Sequence, residues 1–258
     1  MLNLGNKQQS IIAIIPARWS SSRFPGKPLV DLCGKPLIQW VWEAACRSNV
    51  LDRILIATDD DRIAECAFDF GAEYAMTPSD LPSGTDRIIY ALDELNETAD
   101  IVLNIQGDEP LLNGKIIDSL LNAFILSDAD VGTLVKRINT ESELFDKSVV
   151  KVVFKSDNTA LYFSRNVIPY IRDVNKDELL EKFQFWKHIG IYAYKTSSLR
   201  QFQSLSVSSL ENAEKLEQLR LIESGAKFLC VETDAELYGV DTPEDLEIVK
   251  KIIQHTHN

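Results

Sequence analysis

Arg18, Arg23 and Lys27 stand between Ser10 and Val30 with no carboxylate among them, in a chain whose 39 acidic and 27 basic residues give a net charge of -12. A positive run against that background suits a polyphosphate, which a few cations in one cleft can hold. Gly26 lets the backbone approach closely, and Pro25 and Pro28 stiffen the turn. The spacing is neither G-x-x-x-x-G-K-[ST] nor G-x-G-x-x-G, so the common nucleotide loops are not implied.

Two acidic turns could complete such a site. Gln106-Gly-Asp-Glu-Pro110 places Asp108 just past an apolar run. A hard cation such as Mg²⁺ is usually held by one or two carboxylates plus substrate phosphates, and Asp108 fits that role. Glu109 is left outside the metal set. Gly239-Val-Asp-Thr-Pro-Glu-Asp-Leu246 offers Asp241, which alone reads equally as an acid flanking a helix. Glu244 and Asp245 suit the helix dipole. Asp59, Asp60 and Asp61 look catalytic as a cluster, but a helix N-terminus explains them. With His255 and His257 in the tail, His188 is the only interior imidazole, which removes most histidine chemistry.

The elements that must position these residues follow from apolar periodicity. Ile11–Ile15 reads as a buried parallel strand, and a helix follows with Pro36 at its first position. The basic loop between them then lies at the carboxyl end of a sheet, where open α/β folds bind ligands. Strands are expected at 53–57, 72–76 and 100–106, and helices at 58–70, 84–95 and 114–126, with Gly71 as a stop. This alternation predicts an α/β fold: a mostly parallel central sheet with helices on both faces. Strands at 129–135, 149–154, 188–194 and 227–232 follow, with a loop or short helix at 172–182. An amphipathic helix is expected over 208–223, its stripe running through Leu210, Ala213, Leu216 and Leu219. A last helix starts near Thr242, with Pro243 at its first position. One domain over 11–253 is expected, with a smaller elaboration at about 130–200 and flexible ends at 1–10 and 254–258.

At 258 residues, 45% hydrophobic and 26% charged, the chain has a globular composition. The acidic balance argues against nucleic acid or a membrane surface as partner. The first ten residues are polar and too short for a signal peptide, and no run of about 18 apolar residues occurs. Cys33, Cys46, Cys66 and Cys230 are scattered, as reduced thiols of a cytoplasmic protein would be.

Taken together, the motifs resemble those of the cytidylyltransferases that make CMP-linked acidic sugars. The stretch P-A-R-x-x-x-S-R-F-P-G-K-P-L, from Pro16, is similar to their basic loop. So are Ser83-Gly-Thr-Asp-Arg87, Gln106–Pro110, Ala160-Leu-Tyr-Phe-Ser-Arg165, His188-Ile-Gly-Ile-Tyr192, Leu216-Glu-Gln-Leu-Arg220 and Gly239–Leu246. The order and content most resemble the family of 3-deoxy-manno-octulosonate (Kdo) cytidylyltransferases, from Ile11 to Ile253.

The resemblance implies a Rossmann-like nucleotide-diphospho-sugar transferase fold. It implies that CTP and Kdo are substrates, Mg²⁺ the cofactor, CMP-Kdo for lipopolysaccharide the product, and a cytoplasmic homodimer the working form. By the same resemblance Ala17, Arg18, Arg23, Lys27, Ser83 and Gly84 hold the nucleotide. Asp108 and Asp241 hold metal, and with Arg18 and Lys27 form the catalytic set. Arg87, Gln106, Arg165, His188, Tyr192, Glu217 and Gln218 are assigned to the sugar, Arg87 as a planar fork for its carboxylate. Trp19 stands where a tyrosine is common, Ser208–Glu214 replaces a Pro-rich stretch, and Glu236 and Tyr238 replace smaller residues. Another α-keto acid sugar remains an alternative acceptor, as does a non-catalytic nucleotide-binding role.

Overall fold

The computed structural model describes residues 9–20, 24–96 and 98–256. The apolar run near the start forms β1 (Ile11–Ala17). Ile11, Ala13, Ile15 and Ala17 face one half of the core, and Ile12 and Ile14 the other. That two-residue alternation, apolar on both sides, is what a strand covered by helices on both faces requires.

A short ribbon, β2 (Asp31–Leu32) with β3 (Lys35–Pro36), precedes α1 (Leu37–Cys46). The alternation continues as β4 (Arg53–Thr58), α2 (Asp61–Asp69), β5 (Glu73–Met76), α3 (Gly84–Glu94), β6 (Ile101–Asn104) and α4 (Gly114–Ile125). The second half begins with β7 (Val131–Arg137), α5 (Glu141–Phe145), β8 (Lys151–Phe154), β9 (Ala160–Ser164) and α6 (Leu179–Lys182). It ends with β10 (Trp186–Lys195), α7 (Thr196–Ser204), α8 (Ser209–Glu214), α9 (Gln218–Glu223), β11 (Phe228–Glu232) and α10 (Pro243–Thr256).

The main path of the sheet is β11-β7-β10-β6-β1-β4-β5. Every pair along it is parallel except the two made by β10, which runs against both β6 and β7. Helices α1, α2 and α4 cover one face, and α3, α7 and α9 the other. The fold is thus α/β with a mostly parallel sheet. Within residues 130–200, β7 and β10 belong to this sheet, while β8 and β9 pair with each other and touch it at Lys151 opposite Lys187. A small separate core around Ile138, Leu144 and Phe185 is closed by α5, α6 and the segments flanking that hairpin. No helix among the described residues is long and apolar enough to cross a membrane.

Helix ends follow local chemistry. Gly71, at φ 83°, ends α2, and the Ala72 amide donates back to Ala67. At α10, Thr242 Oγ1 accepts from the Asp245 amide (3.2 Å) and Asp245 Oδ2 accepts from the Thr242 amide (2.9 Å), a reciprocal cap.

Two local expectations are corrected. Pro36 lies just outside α1, at ψ 141°, because the ribbon claims it. The expected helix over 208–223 is two helices, broken where Lys215 turns left-handed at φ 55° and ψ 49°. A buried ion pair explains the break: Arg220 grips Glu211 with Nε at 2.7 Å and Nη2 at 2.6 Å. Nine residues of straight helix would rise about 13 Å, too far for that grip.

Candidate active site

Three strand ends, those of β1, β4 and β6, deliver the site. Ala17 pairs beside Thr58 and Ile14 beside Asn104, so the loops that follow leave the same edge of the sheet. A cavity of about 260 Å³ opens there, lined among others by Arg18, Lys27, Ser83, Gly84, Asp108 and Asp241. Gly107 is pressed against β1: a Cβ there would lie 3.1 Å from the Pro16 carbonyl. Any larger residue would push Asp108 away from the basic loop.

Asp108 and Asp241, remote in sequence, are stitched together by the backbone. The Val240 amide donates to the Asp108 carbonyl at 2.9 Å, and the Asp241 amide donates to the capping carboxylate of Asp245 at 3.1 Å. Lys27 Nζ lies 2.7 Å from Asp108 Oδ2 and 3.1 Å from Asp241 Oδ1. The two acids therefore converge on one cation position. Two hard oxygen donors facing a polyphosphate-sized cleft fit Mg²⁺, which completes its shell with phosphate and water. Among the described residues no group of three or more His, Cys, Asp or Glu forms a metal cage. Glu109 stays apart from the pair, with its buried Oε2 unpartnered. Burial, with Asp108 and Asp241 adding to it, pushes its pKa up to about 8.

A second cavity, about 430 Å³, adjoins the first and shares Gly84, Gln106, Asp108 and Asp241 with it. Arg165, Tyr192, Glu217 and Gln218 line it. Arg165 is oriented by Glu214, whose carbonyl accepts from Nε at 2.8 Å, and by the Lys215 carbonyl. Glu217 accepts from Thr85 Oγ1 at 2.9 Å, and burial raises its pKa. Tyr192 stacks on Tyr194, and burial pushes both phenols well up, so both remain donors at neutral pH.

His188 opens on a third cavity of about 340 Å³, which shares Gly190, Tyr192 and Gln218 with the second. β10 shifts register between Ile189 and Tyr192, and Thr133 fills the bulge. Its Oγ1 donates to the Ile191 carbonyl (2.8 Å), so it accepts from His188 Nε2 (3.0 Å), which assigns the proton to Nε2. Burial among Phe163 and Tyr192 pushes the imidazole pKa down to about 3, leaving it neutral.

Arg87, assigned to the sugar by resemblance, lines the first cavity and not the second, and its guanidinium is held by Asp59 (Nη2 to Oδ2, 3.0 Å) and by Thr77. Both charged side chains are almost fully buried, at 3% and 6% exposure. Asp59 is accordingly the partner of Arg87, and only Asp60 caps α2. An acid run that reads as a helix start hides this because the partner is 28 residues away. Arg23 lies outside the described residues. Asn104, Thr85 and Tyr194 join the second cavity without having been singled out. Asn104, the last residue of an apolar strand, carried the one legible signal.

A sheet edge of this topology, carrying a basic loop opposite two acids, defines a nucleotidyl-transfer class of site. The family model described as cytidylyltransferase matches residues 12–228. The 3-deoxy-manno-octulosonate cytidylyltransferase of Thermodesulfovibrio yellowstonii is 44% identical over 248 residues, covering 94% of this chain and 97% of the relative. That of Parabacteroides distasonis is 45% identical over 240 residues, covering 92% and 95%. A solved CMP:2-keto-3-deoxy-manno-octonic acid synthetase complexed with CTP superposes with a TM-score of 0.89 at 40% identity, covering 96% of this chain and 99% of that one. The chain belongs to the family of 3-deoxy-manno-octulosonate cytidylyltransferases. A Leptospira borgpetersenii cytidylyltransferase, at 18% identity and a TM-score of 0.64, shares the fold.

Proposed function

We propose that the chain transfers CMP from CTP to Kdo, releasing pyrophosphate and activating the sugar for lipopolysaccharide assembly. The observation that carries this reading is the convergence of Lys27, Asp108 and Asp241 where the first and second cavities join. One cavity is sized and charged for a nucleotide's phosphates, the other is polar enough for a polyhydroxylated acid, and they meet at the acids. Nucleotidyl transfer needs positioning and charge stabilisation more than covalent chemistry.

In the reaction, the anomeric hydroxyl of the sugar loses its proton to solvent and attacks the α-phosphorus, the new O–P bond forms, and the bond to the β-phosphate breaks to free pyrophosphate. Arg18 and Lys27 hold the triphosphate and offset charge building on departing pyrophosphate. Ser83 and Gly84 flank the nucleoside. Gln106, Arg165, Tyr192, Glu217 and Gln218 hold the sugar, with neutral His188 in the adjoining third cavity. Arg87, held against Asp59, shapes the nucleotide side. Asp108 and Asp241 would hold Mg²⁺, which when bound lowers the pKa of the attacking hydroxyl and neutralises phosphate charge.

A cytoplasmic homodimer is the form we propose. The free cysteines suit a reducing compartment. An apolar hollow between β8 and the chain before β10, with Leu161 and Phe183 exposed at its rim, offers the pairing surface. Pyrophosphate release with CTP and Mg²⁺ tests the activity, with Kdo, 8-amino-Kdo, N-acetylneuraminate or no sugar in parallel. Release with Kdo alone is expected. Release with another sugar alone moves the specificity, and no release from a protein that binds CTP overturns the reading.

A further inference from the structure

The guanidinium of Arg62 stacks on the indole of Trp19, its carbon 3.2 Å from the ring centroid. Asp60 holds that guanidinium as a fork, with Nε to Oδ1 at 2.8 Å and Nη2 to Oδ2 at 2.7 Å. Asp60 also caps α2, so the cation is tied to the helix end. Against the same indole lies Gly26. A Cβ at Gly26 would sit 2.9 Å from Trp19 Cη2, and its backbone is left-handed at φ 70°. The Gly26 amide donates to the Trp19 carbonyl at 3.1 Å. Only glycine satisfies both the dihedral and the contact.

The consequence is mechanical. Trp19 adjoins Arg18 and Gly26 adjoins Lys27, and both cations line the first cavity. We propose that Trp19 and Arg62 are positioning residues for the triphosphate: the stacked pair anchors the basic loop to the start of α2, and so sets where Arg18 and Lys27 present their charge. Neither side chain touches the reacting atoms. Trp19 also packs against the core beneath α1, α2 and α4, whereas Arg62 is about half exposed, so burial of Arg62 does not account for the stack. The proposal rests on the cytidylyltransferase reading.

The test uses the full chain with Trp19→Leu, Trp19→Tyr, Arg62→Gln and the double variant Trp19→Leu/Arg62→Gln. Steady-state pyrophosphate release gives KM for CTP and for the acid sugar, and calorimetry gives Kd for CTP. Losing one surface cation–π stack should raise KM and Kd for CTP about two- to fivefold, with KM for the sugar unchanged. Trp19→Tyr keeps a ring under the guanidinium and should restore the wild-type value. The double variant should be no worse than either single loss, because both remove one contact. Arg62→Gln should alter tryptophan emission in the wild-type background and not in Trp19→Tyr.

Equal effects on both substrates, additive single losses, or Trp19→Leu matching Trp19→Tyr would overturn the proposal. If no sugar supports pyrophosphate release, the functional reading fails, while Kd for CTP across the variants still decides the positioning role.

Discussion

Lys27 and Asp108 form a 2.7 Å ion pair at the mouth of the first cavity, and the same ammonium reaches Asp241. An ammonium and the proposed divalent cation would thus compete for one pair of carboxylates. Without nucleotide, Lys27→Met should bind Mn²⁺ about tenfold more tightly than the wild type, since even a weakly screened charge contact is worth about that much. Its turnover should nevertheless fall about 10²-fold, as expected when a transition-state charge partner is lost. Free Mn²⁺ measured by electron paramagnetic resonance, alongside kcat, checks both. Unchanged metal affinity would show that the ammonium does not guard the acids.

Asp108→Asn should lower kcat about 10²-fold with little change in the melting temperature. Chelation of divalent cations should abolish turnover in the wild type. Near-normal turnover of the variant would remove Asp108 from the metal pair.

Breaking the buried Asp59–Arg87 pair should cost far more stability than breaking a surface one. Asp59→Ala leaves a guanidinium enclosed without its counter-charge, and about 3–5 kcal/mol is the usual penalty. Urea denaturation measures it. A loss under about 1 kcal/mol would mean that Arg87 swings freely into the first cavity.

Acid should weaken the fold through His188. Its pKa is pushed down to about 3 in the fold, against about 6.5 in an unfolded chain. Between those values the unfolded chain binds the extra proton, so stability is complete above about 6.5 and declines as pH falls toward 3. The slope from this group is at most about 1.4 kcal/mol per pH unit. Glu217 and Glu109, both raised, work in the opposite direction, so the comparison of interest is wild type against His188→Asn. Melts from pH 7 to pH 4 should show a shallower decline in the variant, and parallel curves would contradict an enclosed imidazole.

The left-handed Lys215 turns the chain between α8 and α9 at the wall of the second cavity. Lys215→Val should destabilise by roughly 1 kcal/mol, because branching at the β-carbon worsens the clash that the unbranched lysine already tolerates in that conformation, and should raise KM for the sugar without affecting KM for CTP. Lys215→Gly should do neither. Steady-state kinetics with each substrate varied in turn separates the two.

How much of this was legible follows from distance along the chain. β1, β4, β6 and the helices after them announce themselves through periodicity and caps, since the neighbours that fix them are local. The basic loop and Asp108 were likewise readable, as strand-end residues of the right charge. Asp241 was readable only through its motif, because what brings it to Asp108 is the long-range Val240–Asp108 hydrogen bond. The break at Lys215 was hidden, since Leu210, Ala213, Leu216 and Leu219 keep helical spacing while the Glu211–Arg220 pair folds the chain back. β9, α5 and α7 were missed because their short or polar stretches gain stability from neighbours and not from pattern.

The reversed strand β10 also sets an order of assembly. It sits at the centre of the sheet between β6 and β7, yet it is made after both of them. A growing chain can pair β5, β4, β1 and β6 early, but β7 and β11 have no place to attach until residue 186 and beyond have arrived. Until then β6 presents an unpaired apolar edge, the kind of surface that recruits other chains. Late, non-local closure of this sort slows folding and lengthens exposure to aggregation. Chains cut before β10 should therefore collect in inclusion bodies even though most of the nucleotide side of the site has been synthesised.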